Sequence, residues 1–330
     1  MNTRHTRTSR PAARGAAPRS DARPLLKWAG GKRQLLHELR RFYPDRFDRY
    51  IEPFMGSAAV FLDLYNRGLL EGRGVLLADS NPDVIGCYRA VRDSVDEVLV
   101  ELAALAHAHR RRGRGLFYEV RDERFNPLRR EVLGQRRRYP PVLAAMLIYL
   151  NRTGYNGLYR LNSRGDFNVP AGRYESPRIC DEDNLRRVSR ALGRRGVSIV
   201  TGGFETALAG AGPGDFVYVD PPYAPVSQTA RFTAYTAGGF GADDQARLRD
   251  VVVDLARRGG RVLVSNSTAP EIHRLYVAHA RARAAGLRAF TVPARRAINS
   301  RGSARGPVME CLITNIDVAA DRPPGPREWV

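Results

Sequence analysis

Asp220-Pro221-Pro222-Tyr223 follows directly on an apolar run, Asp215-Phe216-Val217-Tyr218-Val219. Two consecutive prolines offer no N–H to a β-ladder and fix φ, so the chain just past a strand becomes a rigid corner here. That corner holds a carboxylate, a proline carbonyl and an aromatic ring together at the carboxyl edge of a sheet, where open α/β folds bind ligands. The cluster suits a planar base with an exocyclic amine. The Asp220 carboxylate and the Pro221 carbonyl can accept its two N–H bonds while the Tyr223 ring stacks on the base. Strands also end in ordinary Asp-Pro turns, so the reading needs support elsewhere in the chain.

Support comes from the basic residues. The chain carries 52 arginines but only two lysines, Lys27 and Lys32, both inside Leu26-Lys27-Trp28-Ala29-Gly30-Gly31-Lys32. A compact ammonium on a flexible stem fits a tight pocket that a planar guanidinium would overfill. The formal charge of +20 and pI near 10.7 point to a polyanionic partner, because Lys and Arg gain affinity by releasing counterions from phosphates. No run of 18 apolar residues is present, so a membrane-spanning helix is not expected. Cys87, Cys180 and Cys311 are widely spaced and form no CxxC pair, and the six histidines show no HxxxH spacing. A disulfide framework and a metal site are therefore not expected, and a reducing cytoplasm fits.

These residues must be positioned by regular elements. Tyr50-Ile51-Glu52-Pro53-Phe54 reads as a strand turning at Met55-Gly56-Ser57 into a helix over residues 58–65. The N–H groups at such a helix start point into a ligand crevice. Residues 74–79 read as a second buried strand ending in Asp79, and in dinucleotide-type folds a carboxylate there accepts from ribose hydroxyls. Residues 243–257 suggest an amphipathic helix, with strands at 261–265 and 308–314. Strands alternating with helices imply a three-layer α/β domain. Between them, residues 82–181 differ in character. Arginine clusters accompany a helical run at 142–150, and residues 151–174 interleave Arg, Asn and Tyr on Gly-rich turns. Such a segment suits contact with bases and phosphates. Most of the arginine clusters are read as solvated helix faces. Residues 1–22 read as a disordered basic arm, and the proline-rich tail from about residue 319 reads as unstructured.

With these segments in view, the chain resembles the Dam-type (D12 class, alpha group) DNA adenine N6-methyltransferases. The resemblance rests on residues 25–32, 51–56, 76–81, 150–174 and 218–235, and spans about 24–316. It implies a Rossmann-like S-adenosylmethionine-dependent methyltransferase fold, three-layered with a mostly parallel sheet, over 23–81 and 182–318. It also implies a mostly helical target-recognition domain inserted at 82–181. Trp28, Lys32, Phe54, Asp79, Phe204 and Asp220 would line the pocket for S-adenosylmethionine. Lys27, Tyr155, Asn156, Leu158, Arg160 and Tyr174 would read or intercalate into double-stranded DNA at GATC. Pro221, Pro222 and Tyr223 would complete the catalytic tetrad with Asp220. Two departures stand out: Gly203-Phe204 stands where members of that family can show a Ser-Tyr pair, and residues 295–302 follow the phosphate-side loop only loosely. The resemblance further implies a bacterial, nucleoid-associated enzyme, a monomer or weak dimer, acting either alone or beside a cognate restriction endonuclease that would be a partner in function only. Rival readings are cytosine N4-methylation on the same fold, which Asp220 in place of Ser disfavours, and a catalytically silent DNA-binding protein, which intact Lys32, Asp79 and Asp220 disfavour.

Overall fold

The computed structural model describes residues 21–28, 30–225, 239–295, 307–317 and 327–329. The strands are β1 (Arg49–Glu52), β2 (Gly74–Asp79), β3 (Val197–Thr201), β4 (Asp215–Val219), β5 (Arg261–Ser267), β6 (Arg288–Arg295), β7 (Pro307–Thr314) and β8 (Arg327–Glu328). The helices are α1 (Leu36–Leu39), α2 (Ala59–Asn66), α3 (Pro82–Asp93), α4 (Val95–Arg112), α5 (Arg114–Glu119), α6 (Asn126–Gly134), α7 (Pro141–Thr153), α8 (Glu182–Leu192), α9 (Phe204–Leu208), α10 (Ala242–Arg257), α11 (Pro270–Ile272) and α12 (Ala280–Ala284).

The strands form one sheet in the order β3-β2-β1-β4-β5-β7-β6-β8. β3, β2, β1, β4 and β5 run parallel, and β7 inserts antiparallel between β5 and β6. All five residues of β4 are buried, as a central parallel strand covered on both faces must be. Successive strand residues face opposite sides. Tyr50, Phe216 and Tyr218 accordingly join one core, while Ile51, Val217 and Val219 join the other. From β1 the chain winds outward to β2 and β3, then returns to β4 on β1's other side. The carboxyl ends of β1 and β4 therefore flank a topological switch point, the standard place for a ligand crevice.

The helical insertion lies in the connection from β2 to β3. Its central helix, α7, is buried over nearly its whole length, and one continuous core joins it to the sheet through Tyr88, Leu147, Tyr50 and Phe216. The helical run expected at 142–150 extends to Thr153, whose hydroxyl donates back to Tyr149 O at 2.7 Å. Beyond it come a short 3₁₀ turn, Tyr155–Gly157, and a narrow hairpin bridged by Leu161 and Phe167.

A few described residues near each chain end are held by contacts that composition does not suggest. Ala22, placed in the basic arm by composition, is buried and donates its N–H to Asn66 Oδ1 at 3.0 Å; the arm itself lies outside the described residues. In the tail that composition reads as unstructured, Arg327–Glu328 pairs with β6 as an edge strand. Past the last proline nothing interrupts pairing, and the Trp329 N–H reaches Ala289 O at 2.8 Å while its ring packs on His273. Among the described residues, no helix is long and apolar enough to cross a membrane.

Candidate active site

The Asp-Pro-Pro-Tyr corner leaves β4 at the switch point and is clamped from two sides. Gln245 of α10 donates through Nε2 to Pro222 O at 2.8 Å and accepts from Asn266 Nδ2 at 3.1 Å. Asn266 Oδ1 takes the Ala224 N–H at 3.2 Å, and the Ser267 hydroxyl donates to Ala224 O at 2.7 Å. These three clamping residues carry no motif signal: Gln245 lies in the polar first turn of α10, and Asn266 and Ser267 in an ordinary polar run at the end of β5.

Lys32, only 4% exposed, brings its ammonium to 2.8 Å from Asp220 Oδ1. The same nitrogen donates to Gly30 O at 2.6 Å and stands 4.6 Å from the Tyr223 ring centroid. The Tyr223 hydroxyl donates to Glu310 Oε2 at 2.7 Å, which fixes the ring's outer edge. Lys32, Asp220 and Tyr223, singled out separately along the chain, thus form one cluster; Glu310 joins it without any sequence signal. Burial pushes the Asp220 carboxyl up to about 6, against the Lys32 ion pair that holds it down. A second carboxyl, Glu52 at the end of β1, is raised further, to about 8, by burial. It accepts the Tyr50 hydroxyl at 2.8 Å and the Phe61 N–H at 3.2 Å.

If an ionised Asp220 accepts the substrate amine, activity must fall as acid protonates it. In the free enzyme, log kcat/KM should rise with unit slope up to about pH 6 and level off above it. Lys32→Met removes the charge that favours the carboxylate, so its inflection should move to higher pH. A pH profile with the same inflection in both proteins would show that Lys32 does not govern Asp220.

On the neighbouring strand ends, Asp79 terminates β2 and accepts the Gly56 N–H at 2.8 Å on Oδ2 and the Asn81 N–H at 2.9 Å on Oδ1. Burial raises its carboxyl above the usual range, and these two N–H groups oppose the rise. Gly56 has φ +44°, and a Cβ there would stand 3.0 Å from the Trp28 indole. Glycine is what lets the turn after β1 lie against that ring. Phe54 stacks on Phe204 with centroids 5.6 Å apart and interplanar angle 25°, and Phe240 meets Phe54 edge-on at 5.7 Å. Phe54, Phe204 and Phe240 thus form one aromatic cluster, and Asp79 keeps free lone pairs; an aromatic face and a carboxylate are the two features an adenosine needs, the first to pack on its base and the second to accept from its ribose hydroxyls. Gly203-Phe204 in place of Ser-Tyr thus keeps an aromatic ring in the cluster and removes two hydroxyls. Phe240 was not visible in the sequence because it stands alone between Gly-rich stretches.

The third group lies across Trp28, whose ring is 5.7 Å from Tyr159. Asn151 of α7 holds the backbone of Lys27 by paired bonds, accepting its N–H at 2.7 Å and donating to its carbonyl at 2.8 Å. The Lys27 ammonium sits 4.1 Å over the Tyr174 ring. Gly157, at φ +64°, passes beneath the Lys27 stem where any Cβ would overlap it. Tyr155 and Tyr174 are 44% and 39% exposed, unusual for large rings. Asn156, at φ +53°, is also exposed, and Leu158 is half-buried. Arg160 is exposed and braced across the hairpin, donating through Nε to Asn168 Oδ1 at 2.8 Å. All six residues assigned to DNA reading therefore lie on or against one segment. Residues 226–235 of the extended tetrad motif, and 296–302 of the phosphate-side segment, lie outside the described residues.

Comparison with known proteins bears on this geometry. The family model of the D12 class N6 adenine-specific DNA methyltransferases matches residues 28–290. A type II methyltransferase, M1.LlaDCHI, of Lactococcus lactis subsp. cremoris is 36% identical over 89% of this chain and 95% of its own length. The type II methyltransferase M.MjaIII of Methanocaldococcus jannaschii is 37% identical over 89% and 99%. The DNA adenine methylase of Escherichia coli K12 is 35% identical over 88% and 94%. With the switch-point crevice, the clamped Asp-Pro-Pro-Tyr corner and relatives matched over nearly their full length, the chain belongs to the D12 class N6 adenine-specific DNA methyltransferases.

Proposed function

We propose that the protein methylates adenine N6 within GATC in duplex DNA, using S-adenosylmethionine, with the residue roles that follow. The observation that carries the reading is the Lys32–Asp220–Tyr223 cluster at the end of β4. The adenine N6 lone pair is delocalised into its ring and is a poor nucleophile. N–H bonds to the Asp220 carboxylate and the Pro221 carbonyl draw that pair back onto nitrogen, and Pro222 keeps the corner rigid. The cofactor supplies an activated methyl on a sulfonium. The chain's task is then positioning and electrostatics rather than covalent catalysis. A stacked base is out of reach, so the adenine is flipped and received on the Tyr223 ring, whose tilt Glu310 sets. Trp28, Phe54, Asp79 and Phe204 hold the cofactor's adenosine, and Lys32 orients Asp220.

Residues 82–181 serve as the recognition domain. Lys27, Tyr155, Asn156, Leu158, Arg160 and Tyr174 present it to the duplex, and the exposed rings of Tyr155 and Tyr174 offset the cost of unstacking, a few kcal/mol. A monomer or weak dimer suffices, since every proposed role is filled within one chain; a restriction endonuclease would be a partner in function only. The reading is tested by incubating the protein with labelled cofactor and duplexes that carry or lack GATC. N6-methyladenine confined to GATC duplexes is expected on nucleoside mass spectrometry, and equal methylation of duplexes lacking it would overturn the specificity.

Arg160 provides a sharper test of the reading surface. An Arg fork on guanine contributes about 1–3 kcal/mol of discrimination. Arg160→Ala should therefore lower the ratio of activity on GATC to near-cognate duplexes by roughly five- to a hundredfold. Deleting residues 1–20 should weaken binding to all duplexes alike and flatten the salt dependence, leaving that ratio unchanged. Equal loss on cognate and near-cognate duplexes in Arg160→Ala would make Arg160 a phosphate clamp or a brace.

A further inference from the structure

Asp83 is fully buried, 0% exposed, and no step of the reaction uses it. Its carboxylate gathers donors from three stretches of the insertion: Arg129 Nε at 2.6 Å, the Tyr139 hydroxyl at 3.2 Å and the Tyr159 hydroxyl. A satisfied buried ion pair is weak evidence of anything by itself, since apolar replacements are often neutral. What sets this one apart is where its contacts lead. Asp83 stands two residues past Asn81, whose side chain caps α3 by accepting the Asp83 N–H at 3.0 Å. The Asn81 N–H in turn reaches Asp79 at 2.9 Å. In the other direction, Tyr159 lies between Leu158 and Arg160, and its ring packs 5.7 Å from Trp28. Trp28 lies against Gly56, whose N–H returns to Asp79 at 2.8 Å. The contacts thus close a ring through Asp79, Asn81, Asp83, Tyr159, Trp28 and Gly56. Arg129 extends it to the hairpin tip by donating to Gly165 O at 2.6 Å.

We propose that Asp83 is a positioning residue that couples the cofactor loop to the recognition segment through the Tyr159 hydroxyl, so that an occupied cofactor pocket tightens binding of cognate DNA. The inference rests on the cofactor pocket proposed above. A ligand seated on Asp79 and the Gly56 turn restrains both ends of the ring at once. Tyr159 is then held from the Asp83 side and from the Trp28 side, and the residues flanking it, Leu158 and Arg160, are presented in one arrangement. Such coupling is reciprocal: each ligand must strengthen the other by the same factor.

The experiment is calorimetric titration of S-adenosylhomocysteine, which cannot transfer a methyl, and of a GATC duplex, each alone and each in the presence of the other. In the natural protein each ligand should tighten the other by about fivefold or more, equally in both directions. Tyr159→Phe keeps the ring on Trp28 and leaves Asp83 paired with Arg129 and Tyr139, so the fold is retained. Its coupling factor should fall below about twofold, while each ligand alone binds within about twofold of the natural protein. Asp83→Asn, which takes the charged acceptor from the Tyr159 hydroxyl and the counter-ion from Arg129, is the second variant and should lower both the factor and the melting temperature. A merely structural role would lower melting temperature and leave the factor intact. A factor of one in the natural protein, or an unchanged factor in Tyr159→Phe, overturns the inference while leaving the cofactor pocket standing. Failure of S-adenosylhomocysteine to bind the natural protein at all overturns the pocket and the coupling together.

Discussion

Asp220→Ala is expected to lower methyl transfer by at least a hundred- to a thousandfold, the usual penalty for removing one preorganised group from a site of developing charge. The geometry adds a complication. Lys32 is 4% exposed, and Asp220 is its ion-pair partner. Alanine at 220 leaves that ammonium donating to the Gly30 carbonyl without its counter-ion, and an uncompensated buried charge typically costs about 3–5 kcal/mol. The variant should therefore melt at lower temperature as well as lose turnover. Two companions separate the effects. Asp220→Asn keeps an oxygen acceptor but not the charge, and should lose most of the activity. The double variant Asp220→Ala with Lys32→Met should recover stability without recovering turnover. Duplex binding should persist in all three, because the residues proposed above to meet the duplex lie on another segment. Turnover above about a tenth of the natural protein's in Asp220→Ala, less than roughly 1.4 kcal/mol of barrier, would sink the assignment.

The parts of this site legible in the sequence are those whose meaning is local. β2 and β4 are apolar runs ended by an acid, so Asp79 and Asp220 announce their own position at a sheet edge. Lys32 is conspicuous because lysine is so rare here. Its bond to Asp220 is another matter, for it depends on how the chain before β1 folds over the end of β4. Glu310 illustrates the same limit. It reaches Tyr223 because β7 runs antiparallel beside β5, with Glu310 opposite Ser267. Hydrophobic pattern marks β7 as a strand but fixes neither its neighbour nor its register, because those are set by packing of the whole sheet. Gln245, Asn266 and Phe240 are likewise silent in the sequence, because each acts through a partner distant along the chain: Pro222, Ala224 and Phe54. β8 escaped notice differently: the proline-rich composition of residues 323–326 carries no information on the pairing of the residues after them.

Asp79 gives the second large effect, this time on affinity. Each of its oxygens already accepts one backbone N–H, from Gly56 or from Asn81, and each keeps a lone pair for a ribose hydroxyl. A charge-assisted hydrogen bond contributes about 1.5–3 kcal/mol, so Asp79→Ala should weaken cofactor binding by roughly ten- to a hundredfold. Alanine also orphans the two N–H groups and frees the Gly56 turn from its anchor, which pushes the loss toward the upper end. Asp79→Asn retains one carbonyl acceptor and should fall between alanine and the natural residue. Affinity for duplex measured without cofactor should change little in either variant. The ionisation of Asp79 adds a check of sign. Burial raises its carboxyl above the ordinary range, and ribose hydroxyls donate best to the ionised form. Cofactor affinity should therefore decline as pH falls through that raised value, beginning at a higher pH than an exposed aspartate would give, and the decline should vanish in Asp79→Asn. Calorimetry that finds cofactor affinity unchanged in Asp79→Ala would remove the β2 carboxylate from the site and leave the aromatic cluster of Phe54, Phe204 and Phe240 to hold the nucleoside without it.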